Sequence, residues 1–166
     1  MMKLGEVARV SRGLVTGNSK LFVMSREKAR RRGLDRFVRP VIAGAREIRA
    51  TTEVRDSSDR LVVLLATPRD VETYPALRDY LGDTIPRIGT SGTAPIVATY
   101  VGVPHFAANP DGLVVLNSLY RVNPRTTLSP GEIGDLVAKL NVAAAKWPTS
   151  RLTSRRSPAE FEALEL

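Results

Sequence analysis

The chain has 166 residues, of which 43% are hydrophobic, and this is enough for one domain with a core of its own. Its 25 Lys and Arg residues outnumber its 17 Asp and Glu residues, so the formal net charge is +8. This excess favours a polyanionic partner through long-range attraction, and nucleic acid is the leading class. The chain contains no cysteine, which excludes disulfides, thiolate zinc sites and cysteine nucleophiles.

The amino terminus reads MMKLGEVARV and lacks the apolar run of a signal peptide. No stretch of the chain approaches the ~20 apolar residues that cross a bilayer. We therefore expect a cytoplasmic protein with no membrane partner. The doubled methionine, Met1 and Met2, leads us to expect that the chain begins inside a longer protein.

In the first quarter of the chain, apolar runs predict strands over residues 4–10 and 21–24. The segment SRGLVTGNSK between them has the composition of a loop. Ser25 is predicted to cap a helix through residue 32 that stops at Gly33. Between residues 26 and 39 there are seven basic residues against Glu27 and Asp35, so part of this charge should face a partner.

The middle of the chain contains an apolar run, RLVVLLA over residues 60–66, which predicts a central strand buried on both faces. Asp70 is predicted to cap a helix over residues 71–81 that Gly82 ends. The following stretch, GDTIPRIGTSGTAP, is rich in Gly, Pro, Ser and Thr and predicts a long surface loop.

From residue 96 onward, short apolar runs alternate with turn residues, which predicts a meander of strands or hairpins with a turn at 109–112. Ser129 and Glu132 form a capping box that opens a helix over 130–141, and Ser157 and Glu160 form a second box. Together these elements predict an α+β fold. We expect a mixed or mainly antiparallel sheet, or sheets, flanked by three or more helices near 26–32, 71–81 and 130–141.

Sequence patterns of catalysis are almost absent. A single histidine, His105, cannot build a histidine metal cluster and offers one candidate base. The stretch GLVTGNSK over residues 13–20 lacks the glycine and lysine spacing of a phosphate loop. The sequence Asn109-Pro110-Asp111-Gly112 is typical of a turn and lacks the second proline and the aromatic residue of adenine methylation loops. These observations predict no catalytic residue, no metal and no cofactor in this chain.

Three segments together resemble the TaqI-like carboxy-terminal specificity domain of adenine-specific type II and type IIG DNA methyltransferases. The first is a short strand followed by Arg12, Gly13, Thr16, Gly17, Asn18 and Phe22. The second is Phe37, Val38, Arg39, Pro40, Val41 and Ile42, where Arg39 stands for the family's lysine. The third is the stretch 95–100 followed by Phe106, Asn117, Leu119 and Tyr120. The resemblance spans nearly the whole chain.

The resemblance implies that the chain is a target recognition domain that chooses the DNA sequence. The catalytic domain, which binds S-adenosylmethionine and flips the adenine, would then lie in cis in a longer polypeptide or in trans on a partner. The ligand of this chain would be double-stranded DNA. Specificity loops of this family differ between targets, so base-reading residues are not carried over.

DNA recognition needs phosphate contacts for position and base-edge contacts for choice. The predicted glycine loop offers suitable donors, and two arginine-bearing segments add more. The predicted DNA-binding residues are Arg12, Thr16, Asn18, Lys20, Arg87, Arg151, Arg155 and Arg156. The competing interpretation of the glycine loop is a plain hairpin turn in which Asn18 adopts the left-handed conformation.

Two other functions are compatible with the sequence. The basic charge fits an RNA-binding or ribosome-associated module equally well, and competition between duplex DNA and structured RNA would separate the two. A small-molecule enzyme could use His105 with the nearby Asp111, and full activity after His105→Ala would remove that hypothesis.

Overall fold

The computed structural model describes residues 1–84, 86, 92–148 and 155–166, and its strands form two four-stranded sheets. The strands are β1 (Ala8–Arg12), β2 (Val23–Met24), β3 (Val38–Ile42), β4 (Val62–Leu64), β5 (Ile96–Ala98), β6 (Phe106–Ala108), β7 (Val114–Val115) and β8 (Tyr120–Pro124). The helices are α1 (Leu4–Val7), α2 (Ser19–Phe22), α3 (Arg26–Arg31), α4 (Pro68–Thr73), α5 (Pro75–Leu81), α6 (Pro130–Ala145) and α7 (Pro158–Glu162). Short 3-10 turns lie at Asp35–Phe37 and Ala45–Glu47. The predicted α+β class with mainly antiparallel sheets is confirmed.

The first sheet has the strand order β1-β8-β5-β6, and all its strand pairs are antiparallel. One face of this sheet is covered by α6, α7 and α1. Side chains such as Phe106, Tyr120, Leu140 and Phe161 fill the space between them and are at most 1% exposed. This face is the largest apolar core of the described residues.

The second sheet has the order β2-β4-β3-β7, in which β7 runs parallel to β3 and the other pairs are antiparallel. Strand β4 lies between two neighbours and is buried throughout, as the apolar run at 60–66 predicted, although the strand is shorter. Helices α3 and α5 pack on this sheet through Ala29, Leu77 and Leu81.

A third apolar cluster joins the two sheets. Val97 and Ala107 of the first sheet contact residues that include Ile42 and Val115 of the second sheet. The predicted meander from residue 96 is therefore wrong at β7, which leaves the first sheet and pairs with β3. Val114 and Val115 are consecutive buried apolar residues, which suits a strand buried on both faces.

Near the amino terminus, the predicted strand over 4–10 is wrong in its first half, where α1 precedes β1. The Glu6 carboxylate accepts a hydrogen bond from the Lys3 amide at 2.6 Å, and the Leu4 amide donates to the Leu164 carbonyl at 2.8 Å. These bonds close a helical turn that apolar content alone does not reveal. The strand predicted over 21–24 is reduced to β2 because α2 occupies residues 19–22.

The helix predicted over 71–81 is two helices, α4 and α5, separated at Tyr74. Pro75 has no amide hydrogen and disfavours a helical conformation at the residue before it, so Tyr74 is extended, with φ −113°. The cap of α4 is Thr67, whose hydroxyl accepts from the Asp70 amide, so the prediction of Asp70 as the cap is also wrong. Gly82, with φ +56°, ends α5 as predicted.

Other helix ends match the sequence signals. Ser25 caps α3, Gly33 follows it with φ +68°, and the capping boxes at Ser129 and Ser157 open α6 and α7. Helix α6 continues to Ala145, about one turn beyond the predicted end, since Ala144 is buried against the first sheet.

The capping box of α6 makes stability depend on pH. The Ser129 amide donates to the Glu132 carboxylate at 2.7 Å, and this bond lowers the pKa of Glu132 below its usual value. A carboxyl with a depressed folded-state pKa stabilises the fold above its unfolded pKa and loses that contribution as pH falls through the folded pKa. The unfolding free energy of Glu132→Gln should therefore decrease less than that of the wild type between about pH 5 and pH 3, as measured by urea denaturation. Asp135→Asn on the same helix is the control, and an equal effect there would contradict the assignment.

Candidate nucleic-acid interface

The second face of the first sheet is covered only in part. At β5 and β6 this face carries Val97 and Ala107, which the third apolar cluster buries completely. At β1 and β8 the same face carries polar side chains in two cross-strand pairs. These residues, which we call the β1–β8 face, are Arg9 opposite Asn123 and Ser11 opposite Arg121.

The β1–β8 face is open and rich in hydrogen-bond donors. Arg9 is exposed, and Ser11, Arg121 and Asn123 are half-buried. The Arg121 Nε donates to the Arg12 carbonyl at 3.0 Å, which holds that side chain along the sheet. The sequence-based prediction missed this face, although the alternation of Arg9 and Ser11 with buried Ala8 and Val10 is the period-two signal of a half-exposed strand.

Strand β1 runs directly into the predicted glycine loop, which crosses to the second sheet. The Gly13 amide donates to the Leu119 carbonyl at 3.0 Å, and the Leu14 amide donates to the Val115 carbonyl at 2.7 Å. A Cβ atom on Gly13 would lie 2.0 Å from the Leu116 carbonyl oxygen, so only glycine fits. The base of the loop is therefore held tightly between the two sheets.

The tip of the glycine loop has a different conformation from the predicted one. Gly17 adopts the left-handed conformation with φ +78°, whereas Asn18 is at φ −151°, so the left-handed hairpin interpretation of Asn18 is wrong. The Asn18 Oδ1 accepts from the Leu21 amide at 3.2 Å and caps α2, because an asparagine at this position satisfies a free helical amide. Lys20 is exposed and Thr16 is half-buried.

Arg12 lies at the other face of β1, beside the hydroxyl of Tyr120. Tyr120 is 1% exposed, stacks on Tyr100 with ring centroids 4.4 Å apart, and donates its hydroxyl to the Arg156 carbonyl at 2.6 Å. Burial raises the pKa of Tyr120, while the charge and hydrogen bond of Arg12 act in the opposite direction. The structure thus brings Arg12 and the backbone of Arg156 together, and both tyrosines pack against the apolar core of the first sheet.

The predicted arginines of the carboxy-terminal segment have different surroundings. The Arg156 guanidinium lies 4.0 Å from the centroid of the Trp147 ring and donates to the Pro148 carbonyl. Arg155 is exposed, and its backbone forms a bridge with Val101. Arg87 and Arg151 lie outside the described residues.

The residues of the small-molecule enzyme hypothesis have separate partners. The His105 Nε2 lies 2.6 Å from the Thr51 carbonyl oxygen. The Asp111 carboxylate accepts from the Asp56 amide at 2.8 Å, and this bond, followed by that from Arg55, lowers the pKa of Asp111. Among the described residues, no hydrogen bond joins His105 to Asp111.

In the described ranges, no helix has both the length and the apolar character needed to span a bilayer.

A comparison with protein families identifies what the amino-terminal half of the chain is similar to. Residues 1–82 match the family model of the type II methyltransferase M.Eco57I, C-terminal domain. The matched range contains β1, the glycine loop, all of α3 and the strands β2, β3 and β4. It therefore includes half of the β1–β8 face and the whole loop that connects the two sheets. Over this range the chain is similar to the C-terminal domain of a type II methyltransferase.

Proposed function

We propose that the chain recognises the target sequence on duplex DNA for an adenine-specific methyltransferase of a restriction-modification system. The observation that carries the proposal is the similarity of residues 1–82 to the C-terminal domain of a type II methyltransferase. Two of the three segments that resemble the TaqI-like specificity domain fall in this range. A separate catalytic domain, in cis or in trans, would bind S-adenosylmethionine and methylate the base in the cytoplasm.

The proposed DNA-binding surface is the β1–β8 face together with the glycine loop. The face and the loop are adjacent because β1 ends at Arg12 and the loop begins at Gly13. Arg9 forms no hydrogen bond or ion pair with any described residue, so its guanidinium is available for a phosphate or for the O6 and N7 acceptors of guanine. The amide of Asn123 lies opposite Arg9 and adds a donor and an acceptor.

The loop contributes a second group of donors. We assign phosphate or base-edge contacts to Thr16, to the side-chain amide nitrogen of Asn18 and to Lys20, since the cap bond uses only the Asn18 oxygen. Arg12, on the other face of β1, and Arg155 are exposed and are proposed to contact phosphates beyond this surface. Arg87 and Arg151 are retained as proposed contacts on the sequence argument alone.

Arg156 has a different proposed role. Its guanidinium already stacks on Trp147 and donates to Pro148, so we assign the phosphate contact to Arg155. Arg156 would then hold the segment that presents Arg155.

The proposal predicts a measurable sequence preference. Selection from a pool of randomised duplexes by the purified chain should enrich one shared motif, and the same motif should be methylated when the catalytic domain is added. Recovery of unrelated duplexes in repeated selections, or preference for structured RNA at matched salt, would contradict the proposal.

The role of the β1–β8 face can be tested at Arg9. We expect Arg9→Gln to weaken binding to the selected duplex by roughly fivefold or more near 0.1 M salt, because one phosphate contact contributes about 0.9 to the salt slope. Fluorescence anisotropy over a salt series measures both quantities. Lys139→Gln is the control, since Lys139 lies on α6 behind the opposite face of the same sheet. Equal losses of affinity in the two variants would contradict the placement of DNA on this face.

A further inference from the structure

The segment from Arg26 to Arg39 concentrates the positive charge of the chain. Its seven basic and two acidic residues leave a charge of +5, out of +8 for the whole chain. Arg26 is neutralised by Asp56 at 2.6 Å. Five further cations on and after α3, which we call the α3 basic surface, are Lys28, Arg30, Arg31, Arg32 and Arg36.

The α3 basic surface has no carboxylate partners. None of the ion pairs within 4.0 Å formed between described residues includes any of its five members. All Asp and Glu residues of the chain lie within the described ranges, so this holds for every acidic side chain. The surface therefore carries five uncompensated cations on one short segment, and their mutual repulsion has to be balanced by something else.

Aromatic rings hold three of these cations in place. The Lys28 Nζ lies 5.5 Å and the Arg32 Cζ 5.9 Å from the centroid of Tyr80, and the Arg36 Cζ lies 4.8 Å from that of Tyr74. Both rings are anchored: the Tyr80 hydroxyl donates to the Leu21 carbonyl at 2.6 Å. Tyr74 packs edge-on against Phe37 with centroids 4.9 Å apart. A cation that is already ordered loses less entropy when it meets an anion, which favours binding.

The surface has the dimensions of a short run of phosphates. Tyr74 and Tyr80 stand at the two ends of α5, and six residues of helix span about 9 Å. One strand of B-DNA carries a charge about every 3.4 Å along the axis, so the surface covers roughly three phosphates of one strand. The helix dipole offers a partial explanation for Arg30 and Arg31 in the last turn of α3, but not for Arg36, which lies beyond the helix.

The α3 basic surface is continuous with the proposed recognition surface. The carbonyl that anchors Tyr80 belongs to Leu21, which follows Lys20 in α2 at the end of the glycine loop. Lys28 and Arg32 therefore lie over the ring that contacts the same helix as Lys20. A polyanion held by Lys20 would extend over this surface.

We propose that the α3 basic surface binds the sugar-phosphate backbone of duplex DNA beside the recognised bases, with no preference for sequence. The inference rests on the proposed function for the identity of the polyanion. It adds a second contact area, on the second sheet, which anchors the flanking duplex and raises affinity for all sequences equally.

The test compares two double variants with the same change of charge. Arg30→Gln with Arg31→Gln removes two exposed cations of the α3 basic surface. Lys139→Gln with Lys146→Gln removes two exposed cations, one on α6 and one at its C-cap. Binding to a labelled 20-base-pair duplex of scrambled sequence is measured by anisotropy at several salt concentrations. The first variant should lower the salt slope by about 2 and the affinity by roughly tenfold or more near 0.1 M salt, whereas the control should lose less than about twofold.

Equal losses in the two double variants would show an effect of net charge and overturn the proposal, as would unchanged binding in both. Thermal unfolding midpoints check that each variant is folded. If the Arg30→Gln, Arg31→Gln variant does not fold, Lys28→Gln with Arg36→Gln provides a second pair. If the wild-type chain selects no motif but the α3 double variant still loses binding to the scrambled duplex, only the proposed function is contradicted. If the wild-type chain selects a motif but the α3 double variant has an unchanged salt slope, only this inference is contradicted.

Discussion

Gly13→Ala is expected to lower the free energy of unfolding by about 3 kcal/mol or more, at the upper end of the cost of overpacking. The added Cβ would lie 2.0 Å from the Leu116 carbonyl oxygen and 2.6 Å from that of Val115, and both are backbone atoms that cannot rotate away. Relief of this clash requires the loop to move from the second sheet. Such a movement breaks the Leu14 to Val115 hydrogen bond.

The matched control for this prediction is Gly134→Ala. Gly134 lies on the exposed side of α6, and a methyl group added there would meet no atom within 4 Å outside the backbone of its own helix. Alanine should therefore stabilise the helix by about 0.5–1 kcal/mol. Urea denaturation of both variants measures the two opposite changes. Wild-type stability in Gly13→Ala would show that the loop is not held between the sheets, and the DNA-binding role assigned to its tip would lose its structural basis.

Asn109→Ala is expected to cost about 3 kcal/mol of unfolding free energy. The side chain is 3% exposed; its Nδ2 donates to the carbonyls of Ala94 and Leu113, and its Oδ1 accepts from the Leu113 amide. Alanine leaves these buried backbone groups without partners, and each unsatisfied group costs about 1–3 kcal/mol before relaxation and water entry reduce the sum. Thermal and urea unfolding at neutral pH measure the loss.

Two further variants sharpen the test at Asn109. Asn117→Ala removes the same side chain at an exposed position and should change stability by less than about 0.5 kcal/mol. Asn109→Asp keeps the shape of the side chain but replaces the donor group with an oxygen. It should therefore lower the unfolding free energy nearly as much as Asn109→Ala at neutral pH. Small effects in both Asn109 variants would mean that the turn at 109–112 is held by other contacts, and the structural role of this asparagine would have to be abandoned.

The sequence that begins at Asn109 allows two interpretations, a methylation loop or a turn. The sequence Asn109-Pro110-Asp111-Gly112 begins with the Asn and Pro of an adenine methylation loop but lacks the second proline and the aromatic residue, and its turn-forming residues predict a turn. In the structure the Gly112 amide donates to the Asn109 carbonyl and Gly112 has φ +64°. The side-chain amide of Asn109 is bonded to Ala94 and Leu113 on either side of the turn. The prediction of a turn is confirmed.

The candidate interface was predictable in part. The glycine loop and Lys20 were predicted as candidates from residue types, since glycines between strands with nearby Asn and Lys are typical of a donor-rich loop. Arg9 was missed because the predicted strand began at Leu4, which obscured the alternation within β1. Whether Arg156 is exposed to a ligand or engaged with Trp147 depends on contacts between segments, which no local pattern encodes.

The ends of the helices follow from local sequence. Ser25, Ser129 and Ser157 cap their helices, and Gly33 and Gly82 terminate theirs, because each of these bonds or conformations involves residues within about one helical turn. The class of fold and the buried central strand also followed from local apolar patterns.

The arrangement of these elements depends instead on contacts between distant parts of the chain. The amino-terminal turn closes on Leu164, β7 pairs with β3 instead of continuing a meander, and the second sheet covers β5 and β6 while leaving β1 and β8 open. Each of these outcomes depends on apolar area buried between residues that are far apart in sequence. The free energy of that burial is set by which surfaces meet, and a single stretch of sequence does not contain this information.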